Sequence, residues 1–170
     1  MVSPNITLDR LHDLLQAVMG WQDAHLHRFR SAERTWSDPR FGLDDRSGDE
    51  RAARIGEILV SPGTRFLYDY DFGDNWVHAI DCEGTVESDA AEDFAVCTGG
   101  ARACPPEDCG GPPGYDDLLK VLRGRNNQRY KEMREWVGDE FDPERFSTNE
   151  VNAKLSRLCT PNPAASKNTS

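Results

Sequence analysis

The sequence predicts an α+β fold: a small mixed β-sheet with an N-terminal helix on one face and a C-terminal helical layer. Three observations predict it. Apolar residues recur at three- and four-residue spacing near the start, aromatic residues alternate along residues 66–72, and amphipathic stripes resume only after residue 114. A length of 170 residues fits one continuous core. Residues 1–159 are assigned to a single domain and residues 160–170 to a polar tail expected to be disordered.

The elements follow in order. After Thr7, a fitting N-cap, Leu8, Leu11, Leu15 and Val18 form a stripe that Leu14 and Met19 widen and Gly20 ends. Residues 25–30 alternate and read as a strand, whereas residues 37–51, rich in Asp, Arg, Gly and Ser, read as a mobile loop. Ile55, Ile58 and Leu59 suggest a helical turn before the turn signal at Ser61, Pro62 and Gly63. Phe66, Tyr68, Tyr70 and Phe72 then share one strand face, and Leu67, Asp69 and Asp71 the other. Gly73, Asp74 and Asn75 are expected to supply the positive φ of a tight reversal, and Trp76, His78, Ile80 and Cys82 to line one face of the returning strand. A last strand segment is expected near residues 94–97. Residues 97–114, rich in Gly, Pro and Cys, are not expected to form regular structure. Tyr115, Leu118, Leu119 and Leu122 make one helical stripe, and Tyr130, Met133, Trp136 and Val137 another. Asp142 before Pro143 reads as a helix start, as does the capping box of Ser147 and Glu150 ahead of Val151, Leu155 and Leu158.

Composition narrows the function classes. Lys plus Arg total 20 against 30 Asp plus Glu, a formal charge of -10, so the summed field repels polyanions and disfavours direct nucleic-acid binding. The basic cluster of residues 123–131 reads as a solvated helix end. The aromatic residues Tyr68, Tyr70, Phe72, Trp76, Tyr115, Tyr130 and Trp136 read as packing between the hairpin and the later helices rather than as base-stacking platforms. No basic flank precedes an apolar run at the start and no stretch is long enough to span a bilayer, so a cytoplasmic protein is expected. Five cysteines in a reducing compartment are then free or metal-bound.

The chain resembles the plasmid pRiA4b open-reading-frame-three-like family, some members of which are labelled insertion-element passenger proteins. The resemblance covers nearly the whole chain. It rests on Thr7 and Leu8 through Trp21, on His25, Leu26, His27, Arg28 and Phe29, and on Tyr68 to Asp74 with Trp76 and His78. It continues through Cys104, Pro105, Pro106, Glu107, Asp108, Cys109, Gly110 and Gly111 with Gly114 and Tyr115, and through Phe141, Asp142 and Pro143 to Val151, Asn152 and Ala153. The resemblance implies no established biochemical activity. A resolvase needs a nucleophilic serine among arginines and a basic DNA-binding tail, and this acidic chain has neither. Family members begin with a pair of strands before the first helix, whereas this sequence starts almost at that helix. A misassigned start codon and a short native form both fit. Helix, strand, helical turn and strand is also the order of the second half of a β-grasp domain. A missing first strand would lie beside the strand of residues 65–72, leaving it an open edge suited to homodimerisation.

Three candidate sites emerge. Cys97, Cys104 and Cys109, spaced C-x6-C-x4-C and completed by His78, are a candidate zinc site, with packing of small apolar residues as the alternative. His25, His27, Asp69, Asp71 and His78 are candidate ligands or catalytic groups of a metal-dependent hydrolase, if their strands are neighbours. Pro105, Pro106, Glu107 and Asp108 with Gly110, Gly111, Gly114 and Tyr115 form a loop motif whose carboxylates are expected to hold the loop or cap a helix. It joins the hairpin motif of Tyr70, Asp71, Phe72, Gly73, Asp74 and Trp76 as a binding or structural element. The first functional expectation is a non-enzymatic interaction or accessory protein, tied to mobile elements through the family label and presenting an acidic surface to a protein partner. The alternatives are the hydrolase and a zinc-stabilised binding module.

Overall fold

The computed structural model describes residues 1–44, 46–86, 94–124 and 127–159. In chain order they form α1 (Leu8–Met19), β1 (His27–Arg30), β2 (Thr35–Ser37), a 3-10 turn (Pro39–Phe41), β3 (Gly48–Asp49) and α2 (Ile55–Ile58). The hairpin β4 (Arg65–Tyr70) and β5 (Trp76–Asp81) follows, then α3 (Gly111–Arg123), α4 (Gln128–Val137) and α5 (Thr148–Cys159). The five strands make one sheet in the order β3-β2-β1-β4-β5, antiparallel except for the parallel β2 and β3 pair. The α+β class holds, and the expected tail at residues 160–170 lies outside the described residues.

The inner face of the sheet is set by strand alternation. Phe29 of β1 and Phe66, Tyr68 and Tyr70 of β4 point inward and are almost fully buried. Phe29 and Tyr68 sit with ring centroids 5.0 Å apart. Fully burying one such ring contributes roughly 1.5–3 kcal/mol. The stripe of Leu8, Leu11 and Leu14 lays α1 on this face, and α5 brings Val151 and Leu155 into the same core. On the opposite face Arg28, Arg65, Val77, Ala79 and Asp81 are all exposed.

Several expectations are corrected. β4 has no open edge, because β1 pairs along one side and β5 along the other. The place inferred for a missing first strand is therefore taken, and β5 and β3 are the outermost strands. Alternation stops at Tyr70, since Asp71 adopts φ 54 and Asn75 φ 56, while Gly73 is not among the positive-φ residues. The Asp71 carboxylate explains this. Its Oδ1 accepts from the Gly73 and Asp74 N–H groups at 3.0 and 3.2 Å, an Asx turn that an aspartate in the left-handed region makes well. Phe72 is consequently 41% exposed, with the Arg28 guanidinium 5.2 Å from its ring centre.

The segment expected to be a mobile loop is pinned. Ser37, Asp38 and Glu50 are buried, β3 pairs with β2, and the Leu8 N–H donates to the carbonyls of Glu50 and Ala53 at 3.1 and 3.0 Å. Asp142 and Pro143 close only a turn, because the next cap follows too soon for a helix to grow. Ser147 does cap α5, accepting from the Glu150 N–H at 3.3 Å, but the Glu150 carboxylate turns to Arg145 instead of completing the box. α4 buries none of its residues and Trp136 is half exposed, so that stripe does not pack on the hairpin as expected. The segment near residue 95 contributes a single bridge between Ala95 and Val2. Among the described residues no helix is long and apolar enough to cross a membrane.

Candidate functional site

Two polar clusters lie on either side of the Tyr68 and Tyr70 rings. The inner one begins on α1, where His12 and Gln16 occupy the i+4 and i+8 positions after Leu8 and so face the core. The Gln16 amide donates to the Tyr68 hydroxyl at 3.0 Å, and that hydroxyl donates to His12 Nδ1 at 2.8 Å. His12 Nε2 then carries the proton and donates to Asp23 Oδ1 at 2.9 Å. The Asp23 N–H returns to Gln16 Oε1 at 2.9 Å, closing a ring. The His27 imidazole stacks flat on His12 with centroids 3.6 Å apart, and its Nε2 lies 3.0 Å from Glu50 Oε2. Burial, and then the neighbouring His27, holds His12 below its ordinary pKa, consistent with the neutral tautomer just assigned. Burial pushes the Tyr68 phenol above its ordinary value.

The outer cluster joins three separated segments: residues 21–25 before β1, the turn after β4, and the loop of Pro105 to Asp108. The Tyr70 hydroxyl donates to Glu107 Oε1 at 2.5 Å, the Gln22 N–H to Glu107 Oε2 at 3.0 Å, and the Trp21 indole N–H to the Pro105 carbonyl at 2.9 Å. Burial first, then Glu107, raises the Tyr70 pKa. Trp21 stacks on Tyr70 with centroids 4.7 Å apart. Beside them His25 Nε2 lies 3.1 Å from Asp108 Oδ1 and 3.7 Å from Asp71 Oδ2. The Gly110 N–H donates to Asp74 Oδ2 at 3.0 Å. Only glycine fits next, because a Cβ on Gly111, at φ 66, would stand 2.1 Å from the Asp74 carbonyl oxygen. A Cβ on Gly114 would stand 1.9 Å from that of Cys109. Gly110 and Gly111 thus let the start of α3 dock directly on the hairpin turn, while Gly114 lets the first turn of α3 close.

The expected histidine and aspartate cluster is divided. His25 and Asp71 meet, with Asp108 added. His27 belongs to the inner network. Asp69 faces the other side of the sheet, where Oδ2 accepts from Arg28 Nε at 2.9 Å and Arg30 Nε at 2.7 Å. His78 Nδ1 reaches the Tyr68 carbonyl at 3.3 Å and its ring meets Trp21 edge-on, with burial lowering its pKa.

Among the described residues Cys97, Cys104, Cys109 and His78 do not converge as a three-ligand group. The Cys97 thiol donates to the Gly99 carbonyl, the Cys104 thiol rests 3.4 Å from Met19 Sδ, and the Cys109 thiol turns to the Gly111 carbonyl. Burial pushes Cys104 up to about 12 and Cys109 up to about 11. Among the described residues, two groups bring three ligand atoms within 4.8 Å of one another: His12, Asp23 and His27, and His25, Asp71 and Asp108.

The family Plasmid pRiA4b ORF-3-like protein matches over residues 1–150. The chain belongs to this family. It is 34% identical over 160 residues to the uncharacterised protein y4hQ of Sinorhizobium fredii, covering 90% of this chain and 79% of that one. A crystal structure of a protein of unknown function from Methanosarcina mazei Go1, MM3350, is similar with a TM-score of 0.75 and 34% identity. That match covers 88% of this chain and 85% of the archaeal one. The family therefore brings a fold without an assigned activity.

Sequence reasoning missed His12, Gln16, Asp23, Glu50 and Asn152. For His12 and Gln16 a signal existed, polar residues on the buried stripe of an amphipathic helix. Asn152 of α5 clasps the backbone of Cys97, accepting from its N–H at 2.8 Å and donating to its carbonyl at 2.9 Å.

Proposed function

We propose that the protein is a cytoplasmic, non-enzymatic interaction protein whose docking surface is the uncovered outer face of the sheet. One observation carries this reading: on that face the apolar side chains Leu26, Phe72 and Val77 are 37%, 41% and 46% exposed around Arg28, whereas His12, His27 and Asp69 are bound to internal partners. A catalytic group must be able to reach a substrate. Arg28 and Arg30 share the single carboxylate of Asp69, which leaves a local positive excess in a chain of net charge -10. Such a face suits a partner protein with an apolar segment flanked by acidic residues. Service to a mobile element belongs to the same proposal and rests on the family label alone.

The test compares a wild-type bait with Val77→Glu in extract of the native cell. A protein retained by the wild type and lost by the variant, with both melting alike, is the expected result. Empty captures at low salt count against the reading. A metal-dependent hydrolase is the second reading, favoured by His25 beside Asp71 and Asp108. A hydrolytic activity that disappears in His25→Gln, with the melt unchanged, would put it first.

A further inference from the structure

We propose that His25 Nε2, Asp71 Oδ2 and Asp108 Oδ1 are the protein ligands of a divalent transition-metal ion that fastens the residue 105–108 loop to the hairpin turn. Ligand atoms held roughly 2.0–2.2 Å from one ion lie no more than about 4.4 Å from each other. The separations of 3.1 Å from His25 to Asp108 and 3.7 Å from His25 to Asp71 fall inside that limit.

A second, independent observation points to a ligand here. His25 Nε2 is shielded from solvent yet makes no hydrogen bond, although two carboxylate oxygens lie near it. A buried nitrogen without a partner calls for an ion or a water at that point. The inner cluster is different, since both ring nitrogens of His12 are already engaged there.

The donor set selects the ion. One imidazole nitrogen and two carboxylate oxygens suit zinc, manganese or iron(II), whereas calcium and magnesium prefer all-oxygen shells. Asp71 is held for the task, because its Oδ1 accepts two backbone N–H groups and leaves Oδ2 to face His25. The side chain of Asp108 is 72% exposed, so water can complete the shell and the ion can enter from solvent. The site holds whatever partner the outer sheet face takes, because its test reads ion binding alone.

The experiment uses the full chain, purified without a histidine tag and stripped with a chelator. It is titrated with zinc and with manganese by calorimetry and by thermal melting. One ion per chain and a raised melting temperature are expected. Asp108→Asn and His25→Gln should each weaken binding by at least about 100-fold, and Asp23→Asn should leave it unchanged. Asparagine tolerates the left-handed backbone at position 108, where φ is 58, so this variant stays folded. Absence of binding, binding unaffected by Asp108→Asn and His25→Gln, or binding abolished by Asp23→Asn would each overturn the proposal.

Discussion

The two polar clusters are built from the same residue types and differ in closure. Around His12 and His27, the imidazoles, a phenol, an amide and two carboxylates answer one another, all of them buried except Asp23, which closes the ring from the surface. Around His25, the imidazole meets two carboxylates without a hydrogen bond, and one of them stands in solvent. The first arrangement makes the packing of α1 on the sheet specific, because any slip leaves buried polar atoms unpaired. The second leaves valence to spare. Residue composition alone therefore does not distinguish a structural network from a binding site; completeness of pairing does.

The largest expected effect lies in the closed cluster. Glu50→Ala strands His27 Nε2 in the core and should destabilise the protein by about 3 kcal/mol, read from the urea midpoint. A shift below about 1 kcal/mol would show that the network reorganises or takes in water. Tyr68→Phe removes the hydroxyl shared by His12 and Gln16 and should lower stability by about 2 kcal/mol with little change in secondary structure.

Next comes the dependence on pH. Burial lowers the pKa of His12 and His78 from 6.5 in the fold. Above that value both states are neutral at these groups and their full stability is present. As the pH falls below 6.5, the unfolded chain takes up protons that the fold resists, so stability declines until the folded pKa values are passed. A melting temperature that is flat or rises over that acid window would contradict the buried, neutral assignment. The smallest effect belongs to the open cluster: Asp108→Asn in metal-free protein should move the midpoint by no more than about 0.5 kcal/mol, since that side chain is exposed.

What could be read from the sequence follows the range of the interactions. The stripe of Leu8, Leu11 and Leu14 and the alternation of Phe66, Tyr68 and Tyr70 are periodic within one element, and both elements form as expected. Asp71 defeated the alternation because its own side chain bends the backbone, a choice of turn invisible to a period of two. Glu50 lies in a segment whose composition reads as solvated loop, and only the return of that segment to β2 and to the start of α1 buries it. The candidate site was half legible. His25 and Asp71 stand out as metal-capable residues near one strand pair, but Asp108 joins them across more than eighty positions of sequence. No local pattern encodes that meeting; the glycines that let α3 approach the turn were its nearest trace.

The burial of Cys104 has a practical use. With burial raising its pKa and its thiol resting against Met19, it should react with alkylating reagents far more slowly in place than after it leaves Met19. Its labelling rate, resolved from those of the other four cysteines, is thus an intrinsic clock for how often the proline-rich segment lifts from the body of the protein, with no engineered label site.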